Sequence, residues 1–382
     1  MKDERASGER GEAAAAAQEG ANATPSADPR RFVRPQLRAL AAYHLDLSPC
    51  PHKLDQNEVP FDLPRRLKER IARRWLARDW ARYPDFHSDE LRRRLGRRHR
   101  WPWRGVLVGN GSNELLGVVL EAVVRSGQEV LIHLPSFGLY KAFVLRAGGV
   151  PRFVGPRPDV RLPLAELAAA VAEDPRRPLI LCSPNNPTGD AAEPAAIERL
   201  LEALDAPLLL DNAYGEFCRY DYRPLLARHR HLILLRTFSK AWSLAGQRLG
   251  YLLADPGLVD ELIKVKLPYN VGHASAIAGE EALAAGAAVD RRIRVILGRR
   301  PQWKRMLEGL GFEVFPSEAN FLLVRHPQAA RIQRALEARG VRARDVSGYP
   351  GLDLCLRLSV GSGRDLRATE RALRAILEEI RA

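Results

Sequence analysis

Cysteine is scarce: Cys50, Cys182, Cys218 and Cys355 are the only four in 382 residues, and no two form a C-x-x-C pair. That spacing excludes a disulfide framework and a zinc ribbon, and leaves reduced, individually packed thiols. Long apolar runs are absent too. None approaches the roughly 18 residues that cross a bilayer, so no membrane-spanning helix is expected. The opening "MKDERASGERGEAAAAAQEG" has no apolar core behind its charges and does not read as a secretory signal. Its Ala, Gly and Glu bias reads as a disordered leader over residues 1–30, and the expected compartment is the cytoplasm. The histidines of "HRH" (229–231) have no Cys or carboxylate nearby in sequence, so no metal is expected there.

Acidic residues are few beside basic ones, 46 against 60, for a net charge of +14. Such an excess raises nucleic acid as a partner. The arginines, however, are spread over amphipathic helical faces: "RRLKERIARRWLARDWAR" (65–82), "LRRRLGRRHR" (91–100) and "RRIRVILGRR" (291–300). No zinc-finger spacing, RNP-like aromatic motif or Gly-rich RNA clamp accompanies them, so no specific nucleic-acid partner is expected.

What is present is alternation. Short apolar runs read as strands at 105–109, 129–134, 151–155, 178–182, 206–210, 232–235 and 249–254. Helical patterns follow several of them, as in "NELLGVVLEAVV" (113–124) and "AAIERLLEAL" (195–204). "KAWSLAG" (240–246) reads as the first turns of another helix. The pattern predicts an α/β fold with a mostly parallel sheet and helices on both faces. Before it, residues 31–64 are Pro-rich and irregular, an arm expected to pack with a smaller domain. Residues 65–287 form the expected large domain. From 288 a long basic helix leads into "FEVFP", "NFLLVR", a helix, "LCLRLSV" and a last helix, a smaller α+β domain over 288–382.

In an open parallel sheet, ligands sit beyond the carboxyl ends of the strands. At those ends stand "NGSNE" (110–114), "SPNNPTG" (183–189), "DNAY" (211–214) and "RTFSK" (236–240). Each alone has a bland reading: a turn, a helix cap or a surface lysine. Together they offer an amine, a carboxylate, an amide and an anion-binding turn at one edge, and that set fits pyridoxal phosphate. Lys240 can form an imine with its aldehyde and then carry the proton. Asp211 can keep the pyridine nitrogen protonated, and Asn186 with Tyr214 can bond the phenolic oxygen. Ser112 and Asn113 at a helix start, with Thr237, Ser239 and Arg248, suit the phosphate. Phe137 in "LPSFGLY" (134–140) can stack on the ring.

With these residues the sequence resembles the fold-type I, aspartate-aminotransferase-like enzymes, and within them the histidinol-phosphate aminotransferases. The segments that carry the resemblance span about residues 31–380: "KLDQNE" (53–58), "RYPD" (82–85), "GNGSNELL" (109–116), "PSFGLY" (135–140), "SPNNPTG" (183–189), "DNAYGEF" (211–217), "TFSKAWSLAGQRLGY" (237–251), "PYNV" (268–271), "EANFLLVR" (318–325) and "CLRLSVG" (355–361). The resemblance implies a homodimer with shared sites, in which Tyr83 reaches the neighbouring subunit's cofactor phosphate. It implies that Arg357 and Arg344 clamp the substrate's anionic group, with Tyr43, Asn57 and Asn320 as further substrate contacts. The implied reaction is ping-pong transamination between L-histidinol phosphate and 2-oxoglutarate. Aromatic amino acid transamination and threonine-phosphate decarboxylation stand as alternatives on the same fold. A ligand-sensing domain of a transcription regulator is a further alternative, which needs a DNA-binding module ahead of residue 31. The sequence departs from the pattern at "NEVPFDLP", at "GSNE" and at His273, positions that bear on substrate choice and not on the cofactor set.

Overall fold

Along the strands of the large sheet, successive apolar residues face opposite sides, and the computed structural model places a separate apolar core on each. The structure describes residues 28–42 and 48–381. Tyr43 and almost all of the expected leader lie outside the described residues. The chain divides into two units, Met1–Leu45 and Asp46–Ala382. The described part of the first holds a 3₁₀ turn at Pro29–Phe32, capped by the Asp28 carboxylate, and one turn of helix at Pro35–Arg38.

The second unit contains a seven-stranded sheet. Its strands in chain order are β1 (Val106–Gly109), β2 (Glu129–His133), β3 (Val150–Val154), β4 (Leu179–Cys182), β5 (Leu208–Asp211), β6 (Leu232–Thr237) and β7 (Gly250–Leu253). They lie in the order β1-β7-β6-β5-β4-β2-β3. All neighbours are parallel except β7, which runs antiparallel to both β6 and β1. The alternation is direct: Leu208, Leu210, Leu232 and Leu234 enter one core, and Leu209, Ile233 and Leu235 the other. Buried on both faces, these strands read as continuous apolar runs, as parallel sheets do. The expected seven strands therefore match the observed ones to within two residues at each end.

A second, antiparallel sheet of four strands follows the 24-residue helix Gly286–Gly309. Its members are β8 (Glu313–Val314), β9 (Phe321–Arg325), β10 (Arg344–Asp345) and β11 (Cys355–Ser359), in the order β10-β11-β9-β8. The segment after residue 48 ties into this part of the chain. His52 and Lys53 pair in parallel with Val341 and Arg342, Leu54 N–H donates to the Arg342 carbonyl at 2.9 Å, and Ser359 N–H donates to the Leu54 carbonyl at 2.8 Å.

One expectation fails locally: "KAWSLAG" is not helical. Residues 238–244 form a bent loop, and only Ala245–Gln247 make a 3₁₀ turn. The Leu244 N–H is taken by the Phe238 carbonyl at 3.1 Å, and Ser243 and Arg248 sit at φ 57° and 47°. Left-handed residues at both places break a right-handed helix. Burial of Phe238, Trp242 and Leu244 closes the loop instead.

Candidate active site

Parallel β2, β4, β5 and β6, with β1 in the same direction, end at one edge, and the polar residues collect there. Asp211 is the last residue of β5. Its Oδ2 accepts from the Tyr140 hydroxyl at 2.7 Å and its Oδ1 from the Ala213 N–H at 3.1 Å. Burial pushes this carboxyl above its ordinary value, against the lowering effect of Tyr140, Ala213 and Lys240.

Lys240 projects from the loop after β6, and its Nζ donates to the Gln56 carbonyl at 2.8 Å. Its pKa is lowered to about 8, by burial first and then by the positive charge of Arg357, with Glu58 opposing. A lysine at its ordinary pKa is almost wholly protonated at neutral pH, whereas one near 8 is about a tenth neutral at pH 7. Burial beside cations is a standard way to make an amine nucleophilic.

Segment 55–57 joins this lysine to the rest of the site. Arg357, on β11 and 8% exposed, donates to the Asp55 carbonyl at 2.6 Å and also to the Asn186 side-chain oxygen. Asn57, at φ 55°, donates from Nδ2 to the Tyr214 hydroxyl at 2.9 Å, and its carbonyl accepts from Asn320 Nδ2 at 3.0 Å. Phe321 meets the Tyr214 ring edge-on at 5.1 Å. Arg344 is the register partner of Arg357 across β10 and β11, so the two side chains leave the same face of the small sheet.

The anion side is built on the start of helix Ser112–Val123. Its N-cap is Gly111 at φ 84°, ψ 161°, and no side chain caps its first turn. Free N–H groups and the helix dipole suit an anion there. A Cβ on Gly111 would stand 2.8 Å from a guanidinium nitrogen of Arg248, so glycine keeps this space open. Arg248 donates to Ser239 Oγ at 3.4 Å and to the Ala245 carbonyl at 3.0 Å, and Thr237 Oγ1 accepts the Ser239 N–H at 3.1 Å. Phe137 is half-buried and packs edge-on against Tyr140 at 5.5 Å.

Tyr83 stands apart from this set. It is 78% exposed and stacks on Tyr269, with ring centroids 4.4 Å apart. At "HRH", His229 contacts Glu198 at 3.4 Å and His231 bonds the Leu201 carbonyl at 3.0 Å.

Three participants were not found from the sequence. Tyr140, the donor to Asp211, lies within the quoted "PSFGLY" but 71 residues from its acceptor. The Gln56 carbonyl has no side-chain signature. His133, at the end of β2, is fully buried, and its Nε2 accepts the Cys182 N–H at 3.1 Å. Burial pushes His133 down to about 3, so it is a neutral ring buttressing the ends of β2 and β4.

A helix-covered, mostly parallel sheet with ionisable groups gathered at its carboxyl edge defines an α/β enzyme. Comparison with known proteins narrows the class. The chain belongs to the aminotransferase class I and II family, whose model matches residues 51–376. It is 35% identical to a histidinol-phosphate aminotransferase of Chlorobaculum parvum, covering 87% of this chain and 95% of that protein. It is 39% identical to one of Methylibium petroleiphilum, covering 93% and 98%. The crystal structure of histidinol-phosphate aminotransferase from Sinorhizobium meliloti, in complex with pyridoxal-5'-phosphate, superposes with a TM-score of 0.83 at 25% identity, over 94% of this chain and all of that one. The fold is that of the fold-type I enzymes. Among the described residues, no helix is long and apolar enough to cross a membrane.

Proposed function

We propose that this chain is a pyridoxal-phosphate-dependent aminotransferase that interconverts L-histidinol phosphate and imidazole-acetol phosphate, with glutamate and 2-oxoglutarate as the other pair. One observation carries the reading. A lysine of lowered pKa and an Arg357–Asn186 pair converge on segment 55–57, at the sheet edge where the Asp211 carboxylate ends its strand, in a chain 39% identical over 93% of its length to a histidinol-phosphate aminotransferase.

The donor set fits the cofactor. Asp211 has a hydroxyl and an amide as partners, and a protonated ring nitrogen is the cation its burial calls for. The uncapped helix start at Ser112 and Asn113, with Thr237, Ser239 and Arg248, fits the phosphate. When bound, the cofactor supplies an aldehyde and an electron-withdrawing ring.

Each residue then has a task. Asp211 holds a ring nitrogen in its charged form, and Tyr140 orients Asp211. Asn186 and Tyr214 direct a side-chain amide and a hydroxyl to the ring oxygen, and Phe137 covers one face. Lys240 would hold the cofactor through its amine, and in its neutral form that amine would take up the substrate's α-proton and return it. Arg357 and Arg344 hold the anionic end of the substrate, and a guanidinium accepts phosphate or carboxylate alike, so one pair serves both half-reactions. Asn57 and Asn320 complete the substrate side. The proposal includes a homodimer in which Tyr83 completes the neighbouring site, a cytoplasmic location, and the division into arm, large domain and small domain at 64/65 and 287/288.

A half-reaction screen tests it. Cofactor-loaded protein is mixed separately with L-histidinol phosphate, L-glutamate, aromatic amino acids and O-phosphothreonine, and the cofactor absorbance is followed. Conversion by histidinol phosphate and glutamate, faster than by the aromatic set, is expected. Carbon dioxide release from phosphothreonine, or no response to histidinol phosphate, rejects the substrate assignment.

A further inference from the structure

The turn that suits the cofactor phosphate carries a carboxylate of its own. Glu114, in the first turn of helix Ser112–Val123, accepts the Asn110 N–H at 2.5 Å and Asn270 Nδ2 at 2.7 Å, both on Oε2. A negative charge beside an anion site repels the anion unless a cation offsets it. Asn270 Oδ1 in turn accepts from Lys266 Nζ at 2.6 Å. An acceptor-only carboxylate on one side and a donor-only ammonium on the other fix which way this amide points. Lys266 is 6% exposed, it also donates to the Leu267 carbonyl at 2.9 Å, and no ion pair reaches it among the described residues. Buried lysines are rare unless paired. Here the pairing with Glu114 runs through one amide.

Lys266 also meets the surface aromatic group. Its Nζ lies 5.8 Å from the centre of the Phe86 ring, Phe86 is edge-on to Tyr269 at 5.1 Å, and Tyr269 stacks on Tyr83 at 4.4 Å. Tyr269 sits at φ 55°. A bulky residue in the left-handed region is costly and persists only where its surroundings impose it. Lys266, bonded to both Leu267 and Asn270, closes the turn that holds Tyr269 in this conformation.

We propose that Lys266 and Asn270 are positioning residues for the cofactor phosphate, acting at two places. Through Glu114 they fix the anion turn of their own subunit and offset its carboxylate. Through Tyr269 they fix Tyr83, the residue offered to the neighbouring site. The first place rests on the pyridoxal-phosphate reading, and the second also on the shared-site dimer. Lys266→Met removes the ammonium and keeps an apolar stem, which leaves the Glu114 charge facing the phosphate alone. Adding Glu114→Gln removes that charge and keeps an acceptor for Asn110.

Reloading of the cofactor-stripped full chain with pyridoxal phosphate, followed by absorbance, tests both places. The Kd should rise by about ten-fold or more in Lys266→Met, and Glu114→Gln in the same chain should recover most of that loss. The ³¹P resonance of the bound cofactor should move in Lys266→Met and return in the double variant; a merely structural lysine gives neither recovery. Asn270→Ala and Tyr83→Ala should each raise the Kd, and together by less than the product of the two effects. An unchanged Kd in Lys266→Met, or no recovery in the double variant, overturns the proposal. If Lys266→Met does not fold, Asn270→Ala decides, and an unchanged Kd there overturns it. Independent effects of Asn270→Ala and Tyr83→Ala overturn the link to the neighbouring site, and an unchanged Kd in Tyr83→Ala rejects that link together with the shared site. A wild-type chain that binds no pyridoxal phosphate is a separate result, which rejects the cofactor reading and this proposal with it.

Discussion

Asp211 accepts a hydroxyl and an amide hydrogen bond, and no salt bridge reaches it among the described residues. Its pKa is raised by burial, which means that ionisation opposes folding in the cofactor-free protein. The folded state binds the proton more tightly than the unfolded chain does, so stability falls as pH rises from about 4 towards the raised value. Asp211→Asn removes that dependence while keeping an acceptor for Tyr140. The variant without cofactor should melt at or above the wild-type temperature near pH 7 and show a flatter stability profile between pH 4 and 7. Its kcat/KM should fall by roughly 10³-fold or more, because the ring loses the charge that holds its nitrogen protonated. A fall in melting temperature with activity intact would assign Asp211 a merely structural role.

At the scale of elements, the turn from β1 into helix Ser112–Val123 combines three demands: a backbone conformation near φ 84°, ψ 161°, an uncapped first turn, and clearance for Arg248. Gly111→Ala offends the first and third. It should cost about 1–3 kcal/mol in urea unfolding, as backbone strain of this kind does, and weaken cofactor binding by at least ten-fold; an unchanged cofactor Kd would move the anion site elsewhere. This turn was legible in the sequence because a Gly-Ser turn directly after an apolar run is a local signal, as are Asn186, Asp211 and Lys240 at strand ends. The partners of those residues were not. Tyr140 meets Asp211, Asn57 meets Tyr214 and the Gln56 carbonyl meets Lys240 across 71, 157 and 184 positions. No periodicity reports contacts at that range. The loop after Lys240 was misread for a related reason, since its local propensity is helical and its closure is decided by the burial of Phe238, Trp242 and Leu244.

At the scale of the molecule, Tyr83, Phe86 and Tyr269 make an exposed aromatic group, with Tyr83 stacked on Tyr269 and Phe86 edge-on to it at 5.1 Å. In the proposed homodimer this surface faces the neighbouring site. Tyr83→Ala and Lys240→Ala should then each be nearly inactive alone. Unfolded together and refolded in equal amounts, they should regain about a quarter of wild-type activity, because half of the dimers are hybrids with one complete site. No recovery, with dimers confirmed by light scattering, would place both residues in the same subunit's site.

The antiparallel course of β7 has a mechanical consequence. Lys240 hangs on a loop whose two ends are zipped together by the β6–β7 ladder, so the amine is staked to the large sheet at both ends of its loop. Arg357, by contrast, rides on the small four-stranded sheet and reaches Asn186 and segment 55–57 from outside. Whatever travels when a substrate enters or leaves, the anvil is the lysine and the hammer is the arginine.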